Sequence, residues 1–475
     1  MSPIVNSFDW QAQHAFARLS GDSNPLHLDP LLTRRTPMGD PLVHGVHVLA
    51  WALDRALKEL GAIAVQAVLA RFVKPVFVGD CVTLTFGART EDEIDLLVRV
   101  DRLVVMRVAL SLRKQPESTV RAAAVQAIPR DHAFPLALGM DDMVNRSGAV
   151  ALPDVNAVKE AFPVLAAAWN ADRAAALIAT TRLIGMECPG LHSLFLGLHL
   201  VLRPDVGSQH CLNYAVTNVD DRFRTVDIQV TGPGLDGNLN AMVRHPPVAQ
   251  PRMTELSAAI PAGVFKDYHH QALIIGGSRG LGALTARLLA ISGVKPIITY
   301  AVGRVEAEEV AADIGNVCEI MPFDVCLPAV EQLAEKKIMP THLYYFATCH
   351  IFRRPAGYFS AEYFRDFSRF YVTGFASLVS ALADYGTKNL KVFYPSSVAV
   401  EEPVKDLAEY AAAKAAGEKL CDHLNRFHPQ VKVVVQRLPR VLTDQTATAA
   451  NIEIADARSV MVPIIKAMHE KMYSD

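Results

Sequence analysis

Apolar positions along the chain change rhythm twice, and the changes divide it into three blocks. Up to about residue 117 a helical pattern and a polar loop lead into an apolar helix after His44 (VHVLAWALDRALKEL). Strand-like alternation follows, from RFVKPVFVGDCVTLTF to DRLVVMRVALSLR. One core helix followed by antiparallel strands predicts an α+β unit. Between about 130 and 245 the order repeats loosely: a helical stretch after Pro189 (GLHSLFLGLHLVL), then CLNYAVTNV, a DDR turn, TVDIQVTG, a Gly-rich turn and NLNAMVR. Two similar tandem halves predict an internal duplication. The proline-rich HPPVAQPR favours extended backbone and predicts a linker. Beyond residue 270 the runs ALIIGG, KPIITYAV, CEIMPFDV, HLYYFAT, KVFYPSS and VKVVVQRL alternate with helical stretches, as in a doubly wound parallel sheet. The expected divisions are 1–117, 118–245, a linker over 246–266, and 267–475.

A length of 475 residues exceeds what one hydrophobic core supports, in keeping with several domains. With 51% hydrophobic and 20% charged residues the composition is that of a globular protein. The 47 lysines and arginines are matched by 49 acidic residues, which argues against a nucleic-acid partner. Seven cysteines lie far apart without a CxxC pair, so neither a disulfide framework nor a zinc site is expected, and no metal is assigned. The N-terminal MSPIVNSFDWQAQ lacks a basic segment followed by an apolar run, and Asp54, Arg55 and Lys58 interrupt the most apolar helix. A cytoplasmic protein without a membrane partner is the expectation.

In FARLSGDSNPLHLDPLLTRRTPMGDPLVHG, Asp22 precedes His27 by five positions, with the turn-forming Asn24-Pro25 between them. Adding or removing water beside a carbonyl needs proton transfers at oxygen and at the α-carbon, and a carboxylate paired with an imidazole suits both. An isolated pair at this spacing is also what a surface Asx turn looks like. The longer run SGDSNPLHLD, PLVHG and FVKPVFVGD, over about the first 115 residues, resembles the MaoC-like (R)-specific enoyl thioester hydratases, which adopt the hot-dog fold. The resemblance implies that Asp22 and His27 are the catalytic pair, with the Gly45 amide stabilising the thioester oxyanion. Ala50 stands where some relatives carry serine. In the middle block ECPGLHS stands where VHG stood, without a preceding acid–histidine pair, so this half is expected to be a silent second hot dog.

ALIIGGSRGLGALTARLLA places Gly276, Ser278, Arg279, Gly280, Leu281 and Gly282 between a strand and a helix, where close backbone approach and free N–H groups suit a dinucleotide pyrophosphate. Downstream, Ser397 ends a strand-like run, and Tyr410 and Lys414 are four apart in EYAAAKAAGEKL. On a helix they share a face, so the ammonium is expected to lower the phenol's pKa. Glycine loop, serine and YxxxK in this order resemble the short-chain dehydrogenase/reductase family, implying a Rossmann-type domain with Asp324 near the adenine. FATC replaces the family's usual Asn-Asn-Ala-Gly, Tyr371 stands where an asparagine is common, and Pro439-Arg440 replaces Pro-Gly before a shortened C-terminal part. After KPIITY the chain carries Arg304 and no acid at the strand end, and with Arg279 this favours NADPH (NADP).

The expected fold is an α+β double hot dog followed by an α/β doubly wound sheet. The two motif sets imply an NADPH-dependent reductase making (R)-3-hydroxyacyl thioesters and a dehydratase converting them to trans-2-enoyl thioesters, on coenzyme A or acyl carrier protein, in a homo-oligomer. Two alternatives stay open: a dehydratase carrying a degenerate nucleotide-binding domain as scaffold or sensor, and a reductase carrying a non-catalytic docking module.

Overall fold

The structure is a computed structural model, describing residues 3–113, 128–129, 132–204, 210–334, 336, 338–352, 358–387, 389–446 and 454–470. It forms two compact units, one of residues 1–33 and 38–246, the other of 34–37 and 247–475. The expected boundary at 117/118 lies outside the described residues.

The first unit holds ten strands: β1 (Ile4–Ser7), β2 (Ala67–Phe72), β3 (Cys81–Arg89), β4 (Glu93–Val100), β5 (Leu103–Ser111), β6 (Ser147–Ala151), β7 (Ser193–Leu202), β8 (Cys211–Asp220), β9 (Thr225–Gly232) and β10 (Leu235–Val243). They make one sheet in the order β1-β3-β4-β5-β2-β7-β10-β9-β8-β6. Antiparallel pairing of β2 with β7, Ala67 opposite Val201, joins the two halves. Alternation decides which side chains enter the core: along β4 Ile94, Leu96, Val98 and Val100 are buried while the residues between them are not. Each half lays a helix on its five strands, Gly45–Leu60 in the first and Ala171–Arg182 in the second. One core contains both, with Leu49, Leu53, Leu177 and Ile178 fully buried.

Two expectations are corrected here. Ser193–Leu202 is a strand, not a helix: Leu198, Leu200 and Leu202 are buried and His199 is exposed, a period of two. The second half's helix lies upstream at Ala171–Arg182, so ECPGLHS is not the counterpart of VHG. The expected linker is extended only in its first part, because Met253–Leu256 is helical and Leu256, Ile260 and Phe265 are buried in the second unit's core.

That second unit holds β11 (Gln271–Ile275), β12 (Lys295–Tyr300), β13 (Glu319–Pro322), β14 (His342–Tyr345), β15 (Leu390–Ser397) and β16 (Val431–Leu438), all parallel, in the order β13-β12-β11-β14-β15-β16. Successive residues of β11 feed opposite faces. Ala272 and Ile274 pack with the helices Gly280–Ile291 and Ala457–His469, whereas Leu273 and Ile275 pack with Gly374–Asp384 and Ala408–Phe427. Near-continuous apolar strands are what burial on both faces requires. Strand order reverses between β11 and β14, which opens a crevice at the carboxyl ends of the strands.

Candidate active sites

In the first unit, the short helix Pro25–Leu28 is started by Asn24, whose side-chain oxygen accepts the Leu26 N–H, with Pro25 at the first helical position. The Asn24 amide also donates to the carbonyls of Gly185 (2.8 Å) and Gly190 (3.1 Å), fastening the GDSNPLH loop to the second half of the unit. Asp22 is buried: one oxygen accepts the Asn24 N–H at 3.1 Å, the other the Thr181 hydroxyl at 2.7 Å. His27 Nδ1 lies 2.8 Å from the Leu42 carbonyl. A carbonyl can only accept, so this nitrogen carries the proton and Nε2 keeps its lone pair. The His27 ring stacks on His44 at 3.8 Å, and donor atoms of Asp22, His27 and His44 lie within 4.8 Å of one another.

Burial pushes the Asp22 carboxyl up, partly offset by His27 and the Thr181 hydroxyl, and pushes the His27 imidazole down, partly offset by Asp22. The two proton affinities are thereby drawn toward each other. His44, which starts the Gly45–Leu60 helix, is held well below its ordinary value by burial. Gly45 is the first residue of that helix, where N–H groups lack intrahelical acceptors. A Cβ there would come to 3.1 Å from the Phe72 ring. Asp22, His27, Gly45, Thr181 and Gly185 line one cavity of about 200 Å³ whose other walls include Met106 and Phe195. Sequence reasoning missed Thr181 and Gly185, which come from the supposedly silent half. Gly185 sits in a widened helical turn, Leu183–Glu187, and a Cβ on it would lie 2.3 Å from the Asp22 carboxylate. His192 does not line the cavity among its described residues.

In the second unit, β11 ends in a turn in which Gly276 (φ +77°) and Gly280 (φ +55°) take left-handed backbone. A Cβ on Gly282 would lie 2.2 Å from the Gly276 carbonyl, so the turn closes only with glycine. The helix Gly280–Ile291 begins here and aims its N-terminus into a cavity of about 630 Å³. This bare-backbone cradle fits a dinucleotide pyrophosphate. Gly276, Ser278, Arg279, Gly280, Leu281, Gly282 and Asp324 all line that cavity, together with Ser397, Tyr410 and Lys414. Asp324 accepts the Cys326 N–H at 2.8 Å. Arg279 lies 3.6 Å from Asp444. Arg304 is not among the lining residues: its guanidinium is exposed and pairs with Glu308, one turn along its own helix. Glu308 occupies the group that was expected to meet a phosphate.

Tyr410 and Lys414 lie on the helix Ala408–Phe427, and Ser397 ends β15. The expected lowering of the phenol by the ammonium is not what this geometry gives. Burial pushes Tyr410 up, and the Ser397 hydroxyl is what offsets it. Lys414 Nζ instead donates to the Pro395 carbonyl at 2.7 Å and stands 3.9 Å over the ring of Tyr371, against 5.9 Å for that of Tyr410. Burial brings Lys414 itself down to about 7. Tyr371, in a widened helical turn at Arg369–Thr373, bonds its hydroxyl to Thr348.

Residues 10–103 match the family model described as MaoC like domain, and residues 270–455 that of short chain dehydrogenase. The chain thus carries a MaoC-like dehydratase domain followed by a short-chain dehydrogenase domain. An (R)-specific enoyl-CoA hydratase of Aeromonas caviae is 44% identical over 72 residues, 14% of this chain and 53% of that protein. The 3-hydroxyacyl-thioester dehydratase Y of Mycobacterium tuberculosis is 40% identical over 78 residues, covering 16% and 27%. The chain therefore spans about half or less of the length of these two relatives. A 3-hydroxybutyryl-CoA dehydratase of Methylorubrum extorquens is 28% identical over 129 residues, covering 26% and 76%. Among solved structures, a 3-ketoacyl-(acyl-carrier-protein) reductase from Brucella melitensis complexed with NADH covers 42% of this chain and 90% of its own, at 19% identity and a TM-score of 0.38. Among the described residues no helix is long and apolar enough to cross a membrane.

Proposed function

We propose that the chain is a bifunctional acyl-thioester enzyme, in which the second unit reduces 3-oxoacyl to (R)-3-hydroxyacyl thioesters with NADPH and the first unit dehydrates these to trans-2-enoyl thioesters, or runs the reverse hydration. The observation that carries the reading is buried Asp22 and half-buried His27 lining one largely apolar cavity with Gly45 at a helix N-terminus. We read the ten-stranded sheet as a double hot dog whose second half supports the first, and we keep 1–117, 118–245 and 267–475 as its functional divisions.

In the hydration direction, the couple takes a proton from water as its oxygen adds to C3 and returns one to C2; dehydration reverses both transfers. A carboxyl pushed up and an imidazole pushed down have proton affinities drawn together, which lets the pair exchange these protons. The Gly45 N–H, at the positive end of its helix, steadies the charge that develops on the thioester oxygen. In the second unit Ser397 orients the substrate carbonyl and Tyr410 gives its phenolic proton to the carbonyl oxygen. Lys414, Arg279, Asp324 and the glycine turn hold the nucleotide, which when bound supplies the hydride. Arg279, which lines the cavity beside the glycine turn, and the lack of an acid directly after β12 favour NADPH over NADH. The acyl carrier is coenzyme A or a carrier protein, in a cytoplasmic homo-oligomer.

Two variants test the proposal in one preparation. Asp22→Asn is expected to lower enoyl-thioester hydration by a factor of roughly 100 to 10,000 while leaving NADPH oxidation by 3-oxoacyl thioesters intact, and Tyr410→Phe to do the reverse. Full hydration by Asp22→Asn, or unchanged reduction by Tyr410→Phe, would refute the corresponding half.

A further inference from the structure

Away from both cavities, the amino-terminal edge of the parallel sheet carries three histidines that neither proposed reaction uses. His270 immediately precedes β11, His342 begins β14 beside it, and His469 ends the helix Ala457–His469. A nitrogen from each lies within 4.8 Å of one from each of the others. We propose that His270, His342 and His469 form a binding site for a borderline transition-metal dication of the Zn²⁺ class, tying the C-terminal helix to the starts of two central strands.

Four observations support it. His469 and His342 are 1% and 4% exposed, and the His469 Nε2 is buried without a hydrogen-bond partner. With His469 Nδ1 turned toward His270, Nε2 is the nitrogen that carries the proton, so the lone pair lies on the side of the other two histidines. His342 Nε2 is 2.9 Å from the Met468 carbonyl, which fixes the proton on that nitrogen; the lone pair is on Nδ1, 2.8 Å from the Thr341 hydroxyl, which has the Gln271 carbonyl at 3.0 Å as its other acceptor when a metal takes Nδ1. A backbone carbonyl on the far nitrogen is the usual support of a metal-ligating histidine. Third, His270 Nδ1 and His469 Nδ1 stand 2.9 Å apart; two nitrogens bound to one tetrahedral zinc at ~2.0–2.1 Å would need this gap to open by only a few tenths of an ångström. Fourth, the rings pack among themselves and against Phe265, His342 on His469 at 3.9 Å and Phe265 on His469 at 5.3 Å, so the site is walled on its apolar side while His270 stays half-buried as a way in.

One charge opposes a cation: Lys391, whose Nζ donates to the Ala467 carbonyl and lowers all three imidazoles. The scattered cysteines that argue against a thiolate zinc site have no bearing on three histidines that meet only in the folded unit.

Full-length protein stripped with chelator and dialysed against Zn²⁺, or against Co²⁺ for its visible absorption, tests the site by bound metal and by melting temperature. The expected result is one ion per chain more in the wild type than in His270→Asn, at least a ~100-fold weaker affinity in that variant, and a higher melting temperature with metal in the wild type alone. Comparing against His270→Asn cancels any uptake at Asp22, His27 and His44, which remain in both proteins. NADPH oxidation by the variant certifies its fold; should it fail to fold, Lys391→Met provides the second arm, since removing the opposing ammonium must tighten binding. Equal metal uptake by wild type and His270→Asn, or no tightening in Lys391→Met, overturns the proposal.

Discussion

Asp22 is held by a hydroxyl from a part of the chain 159 residues away, one of the contacts that oppose the effect of burial on its carboxyl. A hydroxyl donating to a carboxylate favours the charged form, so the Thr181 bond pulls the Asp22 carboxyl down against the burial that pushes it up. Replacing Thr181 by valine removes the donor and little else in volume. The carboxyl should then rise further, and the acidic limb of the hydration pH profile should move to higher pH, with about a tenfold loss at neutral pH. An unshifted limb would mean that Asp22 is not the group titrating. In the second cavity the corresponding lever is Arg279, which lines the site whereas Arg304 does not. Arg279→Ala is expected to reduce the kcat/KM ratio of NADPH to NADH by roughly 10-fold to 100-fold, the scale of a charge-assisted contact. Arg304→Ala should leave that ratio unchanged, because its guanidinium is engaged with Glu308 in solvent.

Elements explain what was legible beforehand. The six parallel strands could be located from apolar runs because burial on both faces leaves little room for polar positions, and Tyr410–Lys414 could be placed on one helix face by spacing alone. Ser193–Leu202 misled because leucines at alternate positions are interleaved with Phe195, Val201 and a glycine, so the run looks apolar throughout and its period of two is hidden. The helix it displaced, Ala171–Arg182, is alanine-rich with both faces buried, and so lacks the amphipathic stripe that marks a surface helix. Asp54 looked like an interruption of an apolar helix, yet it is buried and accepts the N–H groups of Val164 and Leu165, capping a helix of the other half. None of these long-range partners leaves a local signal. The widened turn Leu183–Glu187 is the strongest example, because it exists to bring a residue without a side chain against Asp22. Gly185→Ala would force a methyl to 2.3 Å from a carboxylate fixed by two hydrogen bonds, so one of them must break. Hydration should fall by at least roughly a hundredfold, with a stability loss of about 1–3 kcal/mol. Near-normal turnover in that variant would show that the carboxylate's placement is not what the reaction needs.

At the scale of the molecule, each unit closes its own core: Leu49, Leu53, Leu177 and Ile178 belong to one, while Ile274, Leu284 and Met461 belong to a separate cluster beyond the proline-rich segment. Cores that share no buried residues melt as separate cooperative blocks unless something else couples them. The nucleotide cradle is built wholly from the second block, so a ligand there can stabilise only that block directly. Calorimetry of the full chain should therefore resolve two transitions. NADPH at a hundred times its dissociation constant adds about 2.7 kcal/mol to the native state that binds it, which for a unit of this size raises one midpoint by several degrees. The other midpoint should stay where it is, and Asp22→Asn should leave the ligand-sensitive transition untouched. Zn²⁺ at the three histidines should move the same transition as NADPH, since His270, His342 and His469 pack on the sheet that ends in the glycine turn. A single transition that shifts as a whole with NADPH would establish instead that the two units fold as one cooperative body, and that the nucleotide reports on the Asp22 site as well as its own.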